Sequence, residues 1–222
     1  MELLSIGSAR SVWLFDINEL NPSGKSIFPE ILVWMGEQYS FQTFPKSLAE
    51  IDVEKKGFLF KAGKFQTTDD SITVNFSLFS DGVVAETWAS TEKGDAFIEE
   101  VLRTATRKYD LTFRPDMIRA KHYVSEVNVR LNYPLNRINP GTARFCGQLD
   151  ETFARHRLAP FEMTGMIFGQ DTSSSSYKPA GLYIERKTGA PFADNRFWSK
   201  SPFTTEDHLR LLTEFERMIA TA

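Results

Sequence analysis

Leu20-Asn21-Pro22-Ser23-Gly24, with Phe28 and Leu32 behind it, returns in the second half of the chain as Ile138-Asn139-Pro140-Gly141, with Phe145 and Leu149 behind it. The Asn-Pro pairs lie 118 residues apart (139 − 21), and after a one-residue deletion the Gly, Phe and Leu positions lie 117 apart (141 − 24). Asn is a favoured helix N-cap and Pro suits the first helical position. Apolar residues follow at helical spacing, Ile27, Phe28, Ile31, Leu32 and Met35 in one copy and Phe145, Leu149 and Phe153 in the other. The spacing predicts two equivalent amphipathic helices, and with them an internal duplication.

Working outward, each helix is preceded by a strand-like run: Val12 to Phe15, and the alternating stretch Tyr123 to Leu131. Three further strands are predicted in each half. In the first they are Gly57–Phe60, Ile72–Phe79 and Val83–Trp88, the last two joined by the turn Ser80-Asp81-Gly82. In the second they are Met163–Phe168, Gly181–Glu185 and a return through Phe197-Trp198 after the turn Lys187-Thr188-Gly189. A closing helix follows Thr91-Glu92, with Phe97, Ile98, Val101 and Leu102, and another follows Thr205-Glu206, with Leu209, Leu212, Phe215, Met218 and Ile219. The expected fold is α+β: two similar β-α-β(3)-α units, residues 1–116 and 117–222, with a mainly antiparallel sheet, helices on one face and pseudo-twofold symmetry. The segment from Tyr109 to Lys121 reads as a solvated connector, and Thr172 to Ser176 as a surface loop.

The chain has 222 residues, 41% hydrophobic and 25% charged, with a net charge of −3, so it can bury a core and shows no disorder bias. Nineteen Phe read first as core, since a phenyl ring leaves no polar group to satisfy. The slightly acidic balance argues against a nucleic-acid groove. One cysteine, Cys146, excludes an internal disulfide and a cysteine-based zinc site. The first residues carry no secretory pattern and no run approaches a membrane span, so a cytoplasmic, unanchored protein is expected.

Catalytic and cofactor signatures are missing. Gly24-Lys25-Ser26 resembles the tail of a phosphate loop, but Glu19 stands where that motif needs glycine. His122, His156 and His208 are too far apart for a helical metal pair, and no serine elbow exists. His208 reads as a solvated helix-start residue and Cys146 as a small buried one. Trp34 is assigned to the core, at the edge of the first helix stripe. The paired acids Asp69-Asp70, Glu99-Glu100, Asp150-Glu151 and Glu206-Asp207 read as solubilising charge. No cofactor and no metal is expected.

One stretch stands out, Glu185 to Trp198, which mixes cations, polar groups and aromatics between two strands. Arg and large aromatics anchor interfaces well. Arg186, Lys187, Phe192, Asp194, Asn195, Arg196 and Trp198 are therefore the candidate partner-binding residues. The favoured function is a non-enzymatic protein-interaction module: a binding subunit, adaptor or inhibitor of another protein. Self-association is open and a membrane partner is not expected. One alternative is a small-molecule binder or enzyme with a cleft between the halves. Another is nucleic-acid binding across a pseudo-symmetric sheet, using Arg103, Arg107, Lys108, Arg114, Arg119 and Lys121. The saddle architecture of TATA-binding proteins resembles this duplicated order, without a shared motif.

Overall fold

The computed structural model describes residues 1–24, 26–50, 57–67, 70–154, 160–171, 173, 178 and 180–221. Lys25, Asp69, His156 and most of the serine loop at 172–176 fall outside the described residues. The described chain is α+β, with eight strands and four α-helices. The first half runs β1 (Glu2–Leu14), α1 (Phe28–Gln38), β2 (Gly57–Gln66), β3 (Ser71–Phe79), β4 (Gly82–Thr87) and α2 (Thr91–Tyr109). The second runs β5 (Ala120–Arg130), α3 (Pro140–Phe153), β6 (Gly165–Phe168), β7 (Leu182–Arg186), β8 (Arg196–Ser201) and α4 (Thr205–Thr221).

The strands hydrogen-bond in the order β2-β3-β4-β1-β5-β8-β7-β6. Neighbours are antiparallel throughout. Along β1 the numbers fall from Leu14 to Ser5 while their partners rise from Arg119, just ahead of β5, to Asn128 within it. From β5 to β8, Glu126 meets Lys200 and Leu131 meets Asn195. Two compact units emerge: Ser8–Ser125 with Phe203–Thr205, and Met1–Gly7 with Glu126–Pro202 and Glu206–Ala222.

In the N-terminal unit, alternation does what the strand period requires. Ile72, Val74, Phe76 and Leu78 of β3 and Val83, Ala85 and Thr87 of β4 turn to the same buried side. Onto it pack α2, through Phe97, Ile98, Val101, Leu102 and Ala105, and α1, through Ile31, Leu32, Trp34 and Met35. The Phe97 ring touches those of Tyr39, Phe41, Phe65 and Phe76 at centroid separations of 5.1 to 6.4 Å. Helix α2 approaches β1 closely because Gly94 has no side chain: a Cβ there would lie 2.9 Å from Ser11 Oγ.

The structure departs from two local expectations. Asn21-Pro22 does not start α1. Asn21 closes a short 3-10 turn, Ile17–Leu20, and its side chain holds Ser26, while α1 begins at Phe28 with Pro29 in its first turn. The local hydrogen bonds of Asn21 won over capping at that position. Strand β1 begins at Glu2, ten residues before the run read from sequence, because the small residues of Ser5 to Ala9 give a weak apolar signal.

In the C-terminal unit, Val127, Val129 and Leu131 from the β5 side meet Ile184, Phe197, Leu212, Phe215 and Ile219. Asn139 does cap α3: its Oδ1 accepts from Gly141 N at 2.7 Å, with Pro140 in the first position. The stripe predicted to bury α3 is only partly covered among the described residues, with Leu149 half-buried and the Phe153 ring 5.2 Å from that of Phe161. Phe145 is 59% exposed and Phe153 39%, and the buried residue of the helix is Cys146. In α4, Met218 also stays exposed.

Candidate functional site

The hairpin from β7 to β8 is internally braced. Register pairs Glu185 with Trp198 and Arg186 with Phe197, so successive side chains take opposite faces of the sheet. Arg186, Phe197, Ser199 and Ser201 are buried, whereas Arg196, Trp198 and Lys200 are half-buried on the other face. Arg186 donates to the Phe192 carbonyl at 2.7 Å and to Glu162 Oε2 at 2.5 Å. Its guanidinium lies 4.3 Å from the Phe192 ring centroid and 5.1 Å from that of Phe197. Burial pulls its pKa below the ordinary arginine value and Glu162 opposes that pull. Arg186 and Phe192 thus tie the connection to its own sheet.

The other candidate residues are spread around that brace. Lys187 is exposed and its Nζ reaches Asn128 Oδ1 at 3.0 Å. Asp194 is exposed on the 3-10 turn Phe192–Asp194, and Asn195 follows with φ 46°, a left-handed conformation that Asn tolerates. Trp198 packs on Tyr183 at 6.4 Å. Three of the four buried side-chain atoms lacking a hydrogen-bond partner among the described residues sit in this segment: Arg186 Nε, Asn195 Oδ1 and Arg196 Nε. Native proteins leave few such atoms. The cations of the same sheet face are already engaged, Lys200 with Glu126 at 3.0 Å and Arg130 with Glu2 at 2.8 Å. That pairing lowers their value for phosphate contacts.

The outer strand β6 adds an apolar edge. Ile167 is 63% exposed and Phe168 46%. Ile167 stands opposite Tyr183, which touches Trp198, so Ile167, Tyr183 and Trp198 form a row across three strands. Phe168 points to the other face, against Phe215 of α4 at 6.5 Å. An open groove of about 510 Å³ runs beside this strand, lined by Thr164, Gly165, Met166, Ile167, Glu185 and Arg186. At the far end of the strand order, β2 is treated differently. Lys61 exchanges backbone hydrogen bonds with Gln42 and Thr43, Lys64 N donates to Tyr39 O, and the register slips between Phe60 and Gly63. A chain segment, lysines and a bulge all guard that edge, the devices by which proteins avoid unwanted strand pairing.

His208 was expected in solvent and is fully buried instead. It shares the inner stripe of α4 with Leu212, Phe215 and Ile219, at helical spacing that was visible in the sequence. Ser199 Oγ donates to Tyr183 O at 2.6 Å, so His208 Nε2, at 2.8 Å, donates to Ser199. A catalytic base would have to accept that proton, and a nucleophile would have to be reachable. This Ser–His pair is therefore structural. Burial pushes the His208 pKa down to about 4. Trp13 Nε1 and the Tyr123 hydroxyl both donate to Asp95 at 2.8 Å, and Lys121 lies over the Trp13 ring. That cluster fastens α2 to β1 and β5. Among the described residues no group of three His, Cys, Asp or Glu could hold a metal ion, and no helix is long and apolar enough to cross a membrane. No known protein family and no curated protein matches the sequence.

Proposed function

We propose that the protein is an interaction module that takes an extended segment of a partner protein along β6. The observation that carries the reading is the grooved edge Gly165–Phe168, a strand without charged residues on which Ile167 and Phe168 are exposed, in contrast to a β2 edge that the chain guards itself. Strand addition supplies main-chain hydrogen bonds for affinity and alternate side-chain positions for specificity. The Ile167–Tyr183–Trp198 row offers apolar anchorage on one face, and Arg196 and Lys187 border it. A non-catalytic role fits a surface whose features are apolar contact and backbone pairing.

The test uses a photo-crosslinking amino acid at Ile167 in the full chain, followed by reconstitution with the captured protein after purification. The purified pair should associate, and Ile167→Lys should weaken it at least tenfold while the melting temperature stays within about 2 °C. Undiminished binding by Ile167→Lys together with loss on Trp198→Ala would move the site to the hairpin. Absence of any binary complex would refute the proposal.

A further inference from the structure

The N-terminal unit contains a cavity of about 60 Å³ between α1, α2 and the sheet. Its floor is buried and apolar: Met35, Phe76, Leu78, Val83, Val101 and Ala105. Ile17, Asn21, Phe28 and Leu111, all half-exposed, stand at its rim. Among the described residues of the lining Asn21 alone is polar, and its amide is turned to Ser26, with Nδ2 donating to the Ser26 carbonyl at 3.0 Å. A water held inside would need two to four polar partners. The lining does not supply them, so the space favours apolar atoms.

The walls are held from outside. Ile17 N donates to Ser80 O at 3.0 Å and Thr112 N to Leu20 O at 2.8 Å, which fixes the 3-10 turn on one side. Ser26 Oγ donates to the Tyr109 carbonyl, and the Trp34 and Tyr109 rings meet edge-on with centroids 5.6 Å apart, which fixes α1 against the end of α2. Collapse of the space would break these contacts, so it stands preformed.

We infer that this cavity is a binding site for the methyl-terminated end of a narrow alkyl chain, whose polar head stays at the rim beside Asn21. Size decides the class. A hole of about 150 Å³ takes the six carbons of benzene, more than twice the volume available here, so a ring is excluded and on the same scale about the last two or three carbons of a linear chain fit. The inference is independent of the edge-strand reading, because every residue involved lies in the N-terminal unit.

The probes are the linear alcohols from propan-1-ol to octan-1-ol, with hexane-1,6-diol as the doubly polar control, followed through the methyl NMR signals of Met35 and Ile31. Affinity should rise about fourfold per added carbon and level off once the cavity is filled, and the diol should bind far more weakly than hexan-1-ol. Ala105→Leu, and separately Val83→Ile, should fill the space and reduce hexan-1-ol affinity at least tenfold, with the circular dichroism spectrum and cooperative unfolding retained. Xenon shifting the same methyls while every alcohol leaves them unmoved would mean a packing void, and would overturn the inference. So would equal alcohol binding by the wild type and both filled variants.

Discussion

At the residue scale, buried polar groups show how tightly this chain specifies its own contacts. Thr91 and Thr205, the first residues of α2 and α4, cap one another: Thr91 N donates to Thr205 Oγ1 at 3.0 Å and Thr205 N to Thr91 Oγ1 at 2.7 Å. Replacing either by valine strands a buried N–H. Each single change should cost about 1–3 kcal/mol in urea unfolding, and the double change should cost less than the sum, since the two share one arrangement. His208 gives the chain a pH dependence. Below about pH 6.5 the unfolded chain binds a proton on this imidazole that the folded chain does not bind until about pH 4. Stability therefore falls as pH drops through that window, by up to about 3 kcal/mol. The expected result is a lower urea midpoint at pH 5 than at pH 7 in the wild type, and a smaller difference in His208→Gln, whose amide can still donate to Ser199. The mutual capping of the threonines was not legible in the sequence, whereas the spacing that sets His208 on the stripe of Leu212, Phe215 and Ile219 was. A histidine beside an aspartate at a helix start looks solvated until the inner stripe of α4 is aligned with the sheet.

At the scale of elements, α1 and α3 show how similar patterns come to different ends. Both carry apolar residues at helical spacing, and both are helices. Helix α1 buries Ile31, Leu32, Trp34 and Met35 against an aromatic core, whereas α3 buries Cys146 and leaves Phe145 and Phe153 exposed. Leu32→Ala should cost about 2–5 kcal/mol, as for other buried leucines. Phe145→Ser should change unfolding free energy by no more than about 0.5 kcal/mol, because an exposed ring has little burial to lose. Amide exchange should follow the same order, slow in α2 and β3 and fast in α3. Persistent protection of α3 comparable to α2 would contradict this account. Periodicity announced the helices, but it carries no information about how much of a stripe the neighbours cover.

For the molecule as a whole, the recurrence of elements is plain: strand, helix, three strands, helix, twice over. A copied gene segment is our reading of that recurrence. A crystal structure in which residues 12–108 and 124–220 fail to superpose element on element would remove it. The Asn-Pro match that first drew the halves together is the weaker support, since Asn139 caps its helix and Asn21 does not. The Thr-Glu match is the stronger, since Thr91 and Thr205 both open their helices.

The sequence by itself determined the number and kind of the main elements, because strand and helix periods are local and survive without knowledge of neighbours. Turn residues such as Ser80-Asp81-Gly82 likewise act within a few bonds. Tertiary structure alone decided the strand order, the burial of His208 and Arg186, the exposure of Phe145 and Ile167, and the cavity under α1. Each of these depends on which surfaces meet across long stretches of chain. A pattern of side chains states what a face can do, and only packing states what it is next to.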